Sequence, residues 1–358
     1  MINVLDASHA RARALLASGA PVFLPVNPVE YHGPHLSLHN DLLVSQGVAR
    51  ELHADLARRG HDWPLLVTSD LEIGVDPTPG PGSCPVGYRE ACARVISACR
   101  SLVELGAQRI VIVTFHGSPL HSLALDAGVR WLQRRGIPAL SPLNILLRGM
   151  LDICVDDYAD AYAAIPNEDE RAAAMREGAT DVHAGFFETS VTMHYAPESV
   201  DPIYRSLPPC PEIKHDAALA AASRAADKLG AKQLAKELRL AAFGIGWHSL
   251  RPFPGYTCRP SLASREAGGV IASHMIEQFG ATTEQVLVSG ALPPAPIMPW
   301  LASLTLGGIL PSEGPIPVEE IARFERASSP DVDRAAPSAD APSGVDRAAH
   351  SADAPSPS

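Results

Sequence analysis

Short apolar runs rich in β-branched residues alternate with longer stretches of helical spacing over the first two-thirds of the chain. That alternation predicts an α/β fold, a three-layer α/β/α sandwich around a mostly parallel sheet. Residues 22–26 predict the first strand, and Leu43, Val44, Val48, Leu52 and Leu56 then recur at helical spacing, predicting a helix over 41–59. A second strand is expected at 65–68, a helix at 86–105, and a third strand at 109–114, whose run Ile110-Val111-Ile112-Val113 suits a sheet centre. A helix over 119–135 and a strand over 138–142 follow. The pattern then predicts a helical stretch over 145–178, a helix over 184–195, an alanine-rich helix over 215–240 and another over 261–279. Residues 77–85 hold four prolines and two glycines, the composition of a loop over one end of the sheet.

The pattern changes towards the C-terminus. Residues 286–312 carry no charge, but Pro293, Pro294, Pro296, Pro299 and Pro311 interrupt them, so a buried loop, a lid or a subunit contact is expected there and not a membrane span. From residue 327 the composition collapses to Ala, Ser, Pro and Asp, and VDRAAPSADAPS at 332–343 recurs as VDRAAHSADAPS at 345–356. With no aliphatic face to bury, this reads as a disordered tail. The expected organisation is a main domain over 1–282, a proline-rich extension over 283–326 packed on the domain or at an interface, and the repeated tail over 327–358.

A formal charge of -11 argues against a nucleic-acid partner, because neutralising phosphates needs clustered Lys and Arg. A small molecule is the expected substrate. Asp6, His9, Arg11 and Arg13 leave no continuous apolar segment at the N-terminus, so a cytoplasmic protein without a secretory signal is expected. Cys84, Cys92, Cys99, Cys154, Cys210 and Cys258 show no paired spacing, which fits free thiols in a reducing compartment.

The chemistry concentrates at three places. Glu30-Tyr31-His32-Gly33-Pro34-His35, with Asp41 beyond it, follows the first expected strand. This collects carboxylate and imidazole donors that suit zinc, manganese or iron(II), although a polar loop with incidental histidines would look the same. Phe115-His116-Gly117 follows the third strand at once, and open α/β sheets place their ligands at such strand ends. Asp181-Val182-His183-Ala184-Gly185-Phe186-Phe187-Glu188 is the third. Its Glu188 lies among apolar neighbours, where an isolated carboxylate is costly unless paired or bound to metal.

Together, Glu30-x-His32-Gly-Pro-His35 with Asp41, His116-Gly117, and His183-Ala-Gly185-x-x-Glu188-Thr-Ser190 resemble the motifs of the creatininase (creatinine amidohydrolase) family. Gly255-Tyr-Thr-Cys-Arg-Pro260 resembles the turn before that family's last helix, and the likeness spans about residues 20–280. The resemblance implies a binuclear divalent metal site. Glu30 and His116 would hold one ion, His32 and Glu188 the other, and Asp41 would bridge them. His183 would be the proton shuttle, His35 a possible second donor behind a ligand, and a homo-oligomer, commonly a hexamer, the expected assembly.

The chain departs from the family pattern where substrate would lie. Tyr31 stands where most relatives have Gln, Thr114-Phe115 where they have Asn-Gly, and Ser118 where creatinine hydrolases place a glutamate. Tyr31, Phe115 and Ser118 are therefore candidate contacts to substrate or to the ligands. The expected activity is metal-assisted hydrolysis of a C–N bond in a cyclic amide, formamide or related small carbonyl compound, and not in creatinine. The alternatives are a peptide-trimming or cyclic-ketone-opening enzyme, an iron-dependent redox enzyme, or a non-catalytic assembly subunit.

Overall fold

The computed structural model describes residues 1–309 and 316–328. Its sheet is built from β1 (Ile2–Asn3), β2 (Val22–Asn27), β3 (Leu66–Val67), β4 (Leu71–Glu72), β5 (Ile110–Val113) and β6 (Ala139–Leu140). The strand order is β1-β3-β2-β5-β6, with β4 pairing the last two residues of β2, and every pairing is parallel. Pro25 sits within the central strand, where a missing N–H should break the ladder. Phe23 turns its carbonyl to Thr68, so Pro25, two residues on, faces the same side. There the neighbour changes from β3 to β4, and no donor is required.

Side chains on the strands alternate between two cores, because successive Cβ atoms point to opposite faces. Val22, Leu24, Val26, Ile110, Ile112 and Ala139 join one cluster, and Phe23, Val111, Val113 and Leu140 the other. The first face is covered by α1 (His9–Leu16), α3 (Tyr88–Leu105) and α4 (Pro119–Gln133), the second by α2 (Asn40–Arg58), α8 (Phe186–Tyr195) and α11 (Arg265–Ser289). Burying each Val, Leu or Ile of these layers is worth roughly 1.5–3 kcal/mol. This is the expected α/β architecture with a parallel sheet.

The long helical stretch expected over 145–178 is three helices, α5 (Leu143–Met150), α6 (Ala159–Ala163) and α7 (Glu168–Glu177). Pro166 breaks it, and the Asn167 side chain caps α7 by accepting from two backbone N–H groups. The alanine-rich helix expected over 215–240 is a hairpin of α9 (Ala217–Lys228) and α10 (Lys232–His248). Gly230, at φ +78°, makes the turn in the left-handed region. Conversely, α11 continues ten residues past its expected end, because Thr283, Val286 and Leu287 keep its buried face until Gly290 ends it at φ +72°.

Two short helices follow, α12 (Leu301–Leu304) and α13 (Val318–Ser328), the latter placing Ile321 and Phe324 in small apolar clusters near Tyr31 and Tyr256. No helix of the described residues is long and apolar enough to cross a membrane. The repeated tail, apart from its first two residues at the end of α13, lies outside the described residues.

Candidate metal centre

The three motifs meet beyond the carboxyl ends of β2 and β5. After Asn27 the chain loops out and returns, closed by a hydrogen bond from Glu30 N to the Leu38 carbonyl at 3.0 Å, and enters α2 with Asp41 in its first turn. A carboxylate is favoured there by the helix dipole. His116 leaves β5 directly. Glu188 is the third residue of α8, and its Oε2 accepts from the N–H of Ala184 at 2.6 Å, the reach of a capping glutamate back past the helix start. Ala184 adopts φ +47°, uncommon for a non-glycine residue and of a kind found at functional sites. Gly185 beside it has no room for a side chain: a Cβ would run into Asp181 Oδ1 and the Thr257 carbonyl.

His32, His116 and His183 are each held by a backbone carbonyl on one nitrogen, which leaves the other facing the cluster. His32 Nδ1 donates to the Glu30 carbonyl (3.1 Å), His116 Nε2 to that of Val75 (2.9 Å) and His183 Nε2 to that of Tyr31 (3.1 Å). Such bonds fix tautomer and ring orientation in metal-ligating histidines. The other nitrogens face carboxylates. His32 Nε2 lies 3.3 Å from Asp41 Oδ1 and 3.4 Å from Glu188 Oε1, and His116 Nδ1 lies 2.6 Å from Glu30 Oε2 and 3.8 Å from Asp41 Oδ2. His183 Nδ1 stands 3.9 Å from Glu30 Oε1, with its ring stacked on His32 at 4.4 Å.

Lone pairs opposed at these distances repel unless a proton or a cation lies between them. In the metal-free protein the proton takes that place. Burial opposes charge on His116, but Glu30 and Asp41 outweigh it and carry its pKa up to about 9; His32 is likewise raised well above its ordinary value, against burial, by Asp41, Glu188 and Glu30. Burial, only partly offset by His32, lifts Asp41 to about 7. His183 moves the other way, lowered by burial and by the charge on His32.

Three groups of converging ligand atoms could hold a metal ion. Glu30, Asp41 and His116 form one, His32, Asp41 and Glu188 another, with Asp41 common to both, and Glu30, His32 and His183 the third. Apart from protons carried by these imidazoles, both Asp41 oxygens and Glu30 Oε2 are buried and accept no hydrogen bond among the described residues. Buried carboxylate oxygens are rarely left so. The remaining ligand oxygens are tied back: Glu30 Oε1 accepts from Thr78 N (2.7 Å), and Glu188 Oε1 from Asn40 Nδ2 (2.8 Å).

The other expected site residues separate. Phe115 and Ser118 line the cavity beside the cluster, and Ser118 also caps α4 by accepting from His121 N. Tyr31 is buried, its ring wedged against Gly80 and Gly255, and it meets the cluster through its carbonyl to His183. His35 lies outside all three ligand groups; its Nε2 pairs with Thr189 Oγ1 at 2.9 Å, and burial lowers its pKa to about 3.

Sequence reading missed the supports of this centre. Asn27 binds Ser45 Oγ and Asp70 Oδ1 through its amide nitrogen and accepts from Phe115 N, tying β2 to α2, the β3–β4 junction and β5. Asn40 links Glu188 to Thr192, which donates to it at 2.7 Å. Asp181 Oδ2 accepts from Phe187 N, and the Trp247 ring lies 5.2 Å from His183. Only Asp181 had a signal, its place in the third motif.

Comparison with known proteins bears on the family and the fold. The family model described as Creatininase: Creatinine amidohydrolase matches residues 6–282. A mycofactocin precursor peptide peptidase of Mycobacterium ulcerans (strain Agy99) is 25% identical over 183 residues, which are 50% of this chain and 60% of that protein. Among solved structures, one described as creatininase Mn superposes with a TM-score of 0.50 at 19% identity, covering 80% of this chain and 99% of the other. A creatinine amidohydrolase (creatininase) gives 0.50 at 20% identity, covering 80% and 98%. A creatininase variant described as Zn-Zn type gives 0.50 at 19%, covering 80% and 100%.

Proposed function

The chain belongs to the creatininase family, and from that premise we propose that it is a divalent-metal-dependent amidohydrolase cleaving a C–N bond in a cyclic amide, formamide or related small carbonyl compound. The observation that carries this is Asp41, buried between His32 with Glu188 on one side and His116 with Glu30 on the other, its two oxygens facing only those imidazoles and accepting no other hydrogen bond among the described residues. Glu30, His32, Asp41, His116 and Glu188 would hold two ions, zinc, manganese or iron(II) by donor type. Bound there, such a pair would polarise a carbonyl and bring the pKa of a water towards neutrality.

The protein groups divide the remaining work. His183 sits on the cavity side of the cluster with Nδ1 turned inwards and Nε2 anchored on Tyr31. Its lowered pKa keeps it neutral near pH 7, ready to accept a proton and hand it to a leaving nitrogen. Asn40 and Thr78 N hold the carboxylates of Glu188 and Glu30 in place. By resemblance Ser118 stands where creatinine hydrolases carry a glutamate, so neither it nor Phe115 supplies that carboxylate to creatinine.

The name of the curated relative makes a peptide bond the second candidate for cleavage. The test is metal analysis together with turnover of lactams, formamides, short peptides and creatinine by protein reloaded with zinc, manganese or iron(II). Two ions per chain with cleavage of a lactam or formamide support the reading. Absence of bound metal, or of hydrolysis with every metal and compound, would reject it.

A further inference from the structure

We propose that the substrate is a neutral amide or lactam bearing a bulky apolar group, seated between α5, α10 and residues 297–305; this rests on the hydrolase reading above. The cavity beside the carboxylate–imidazole cluster has a volume of about 510 Å³, within the roughly 300–1,000 Å³ typical of sites for drug-sized ligands. Away from the cluster its wall is apolar, with Leu146 and Met150 from α5, Leu240 and Phe243 from α10, and Met298 and Trp300 from the proline-rich segment. Water takes about 30 Å³ per molecule, so an empty cavity would set more than ten waters against a surface offering them few partners. An apolar group displaces them favourably.

Charge narrows the class further. Among the described residues lining the cavity none is Lys or Arg, while Asp76 and Asp181 add to the cluster's carboxylates. An anionic group lying beyond the cluster would meet only like charge. The wall is also fixed in place. Trp300 Nε1 donates to Glu237 Oε2 at 2.7 Å, and Glu237 is itself buried on α10 and accepts from Gln233. Asn144 of the α5 first turn donates to the Pro294 carbonyl. The segment therefore forms part of a built pocket.

The test uses metal-loaded full-length protein and a series of N-alkylformamides running from methyl to phenylpropyl, which share one scissile bond. Each added methylene should raise kcat/KM about fourfold, the equivalent of about 0.8 kcal/mol of buried CH₂, until the pocket is filled. Independently of turnover, phenylbutyramide should bind the metal-free protein and change the emission of Trp247 and Trp300, with phenylbutyrate at least tenfold weaker. Leu146→Gln on α5 and Leu240→Gln on α10 should each reduce the phenylpropyl-to-methyl ratio by at least tenfold.

Cleavage of the methyl compound with a flat series and no binding of phenylbutyramide would overturn the apolar pocket and leave the hydrolase reading standing. Binding of phenylbutyramide, weakened by both Gln variants, with no C–N cleavage of any compound would do the reverse. Failure of phenylbutyramide to bind, with both Gln variants sedimenting as smaller species than the parent, would make this wall a contact between copies and would also overturn the proposal.

Discussion

Asp41→Asn removes one charge and almost no volume from a residue that is 1% exposed. In the metal-free protein three carboxylates, those of Glu30, Asp41 and Glu188, face two protonated imidazoles, those of His32 and His116, so one negative charge is in excess. Burial with that excess lifts the Asp41 pKa to about 7, against roughly 3.9 in an unfolded chain. A raised carboxylate pKa means that the folded state binds the proton more tightly than the unfolded one. The resulting penalty is absent below about pH 4, grows between about 4 and 7, and is full above 7.

At about 1.36 kcal/mol per unit the full penalty is a few kcal/mol. The new amide, lacking an assured acceptor, returns about 1–3 kcal/mol of it. Metal-free Asp41→Asn should therefore be no less stable than the parent at pH 8, and lose that advantage at pH 5. Metal reverses the order. An ion at a hundredfold excess over its Kd stabilises the parent by about 2.7 kcal/mol, and the variant should weaken this at both proposed positions, because Oδ1 faces His32 and Oδ2 faces His116, and the amide offers one neutral oxygen in place of two charged ones. Thermal unfolding at the two pH values, with and without zinc or manganese, and elemental analysis of the dialysed proteins measure both effects. A variant that retains two ions with parental affinity, or that is strongly destabilised without metal at pH 8, refutes the bridging assignment.

His183→Gln should keep the metal content and lower kcat by about 10²–10⁴-fold, the usual loss for a general acid or base; loss of metal with activity would make His183 a ligand. Gly185→Ala, which drives a Cβ into Asp181 and the Thr257 carbonyl, should cost about 1–3 kcal/mol as overpacking does and appear as a lowered Tm, whereas an unchanged Tm would show that the turn into α8 has slack. Creatinine should be turned over with kcat/KM far below about 10⁴ M⁻¹s⁻¹, the lower end of ordinary enzyme values; a value above that in a steady-state assay would overturn the argument from Ser118 and Phe115.

What the chain determines by itself is local. Two-residue alternation in Val22–Asn27 and Ile110–Val113 dictates that each strand feeds two cores, since the pleat sends neighbours to opposite faces whatever the partner. The strand-end position of Glu30, His32 and His116 follows from the same runs, and the residue types there already point to a metal. Tertiary structure decides whatever depends on distant segments meeting. Asn27 and Asn40 carry no pattern that marks them as supports, because their partners at Asp70, Phe115, Glu188 and Thr192 lie 43 to 152 residues away. The histidine tautomers are likewise set by the carbonyls of Glu30, Val75 and Tyr31, which periodicity does not locate. The apolar pocket is the clearest case: α5, α10 and residues 297–305 show no shared motif and become one wall only because the chain returns across the sheet's carboxyl edge, where the half-buried Trp300 donates to the carboxylate of Glu237.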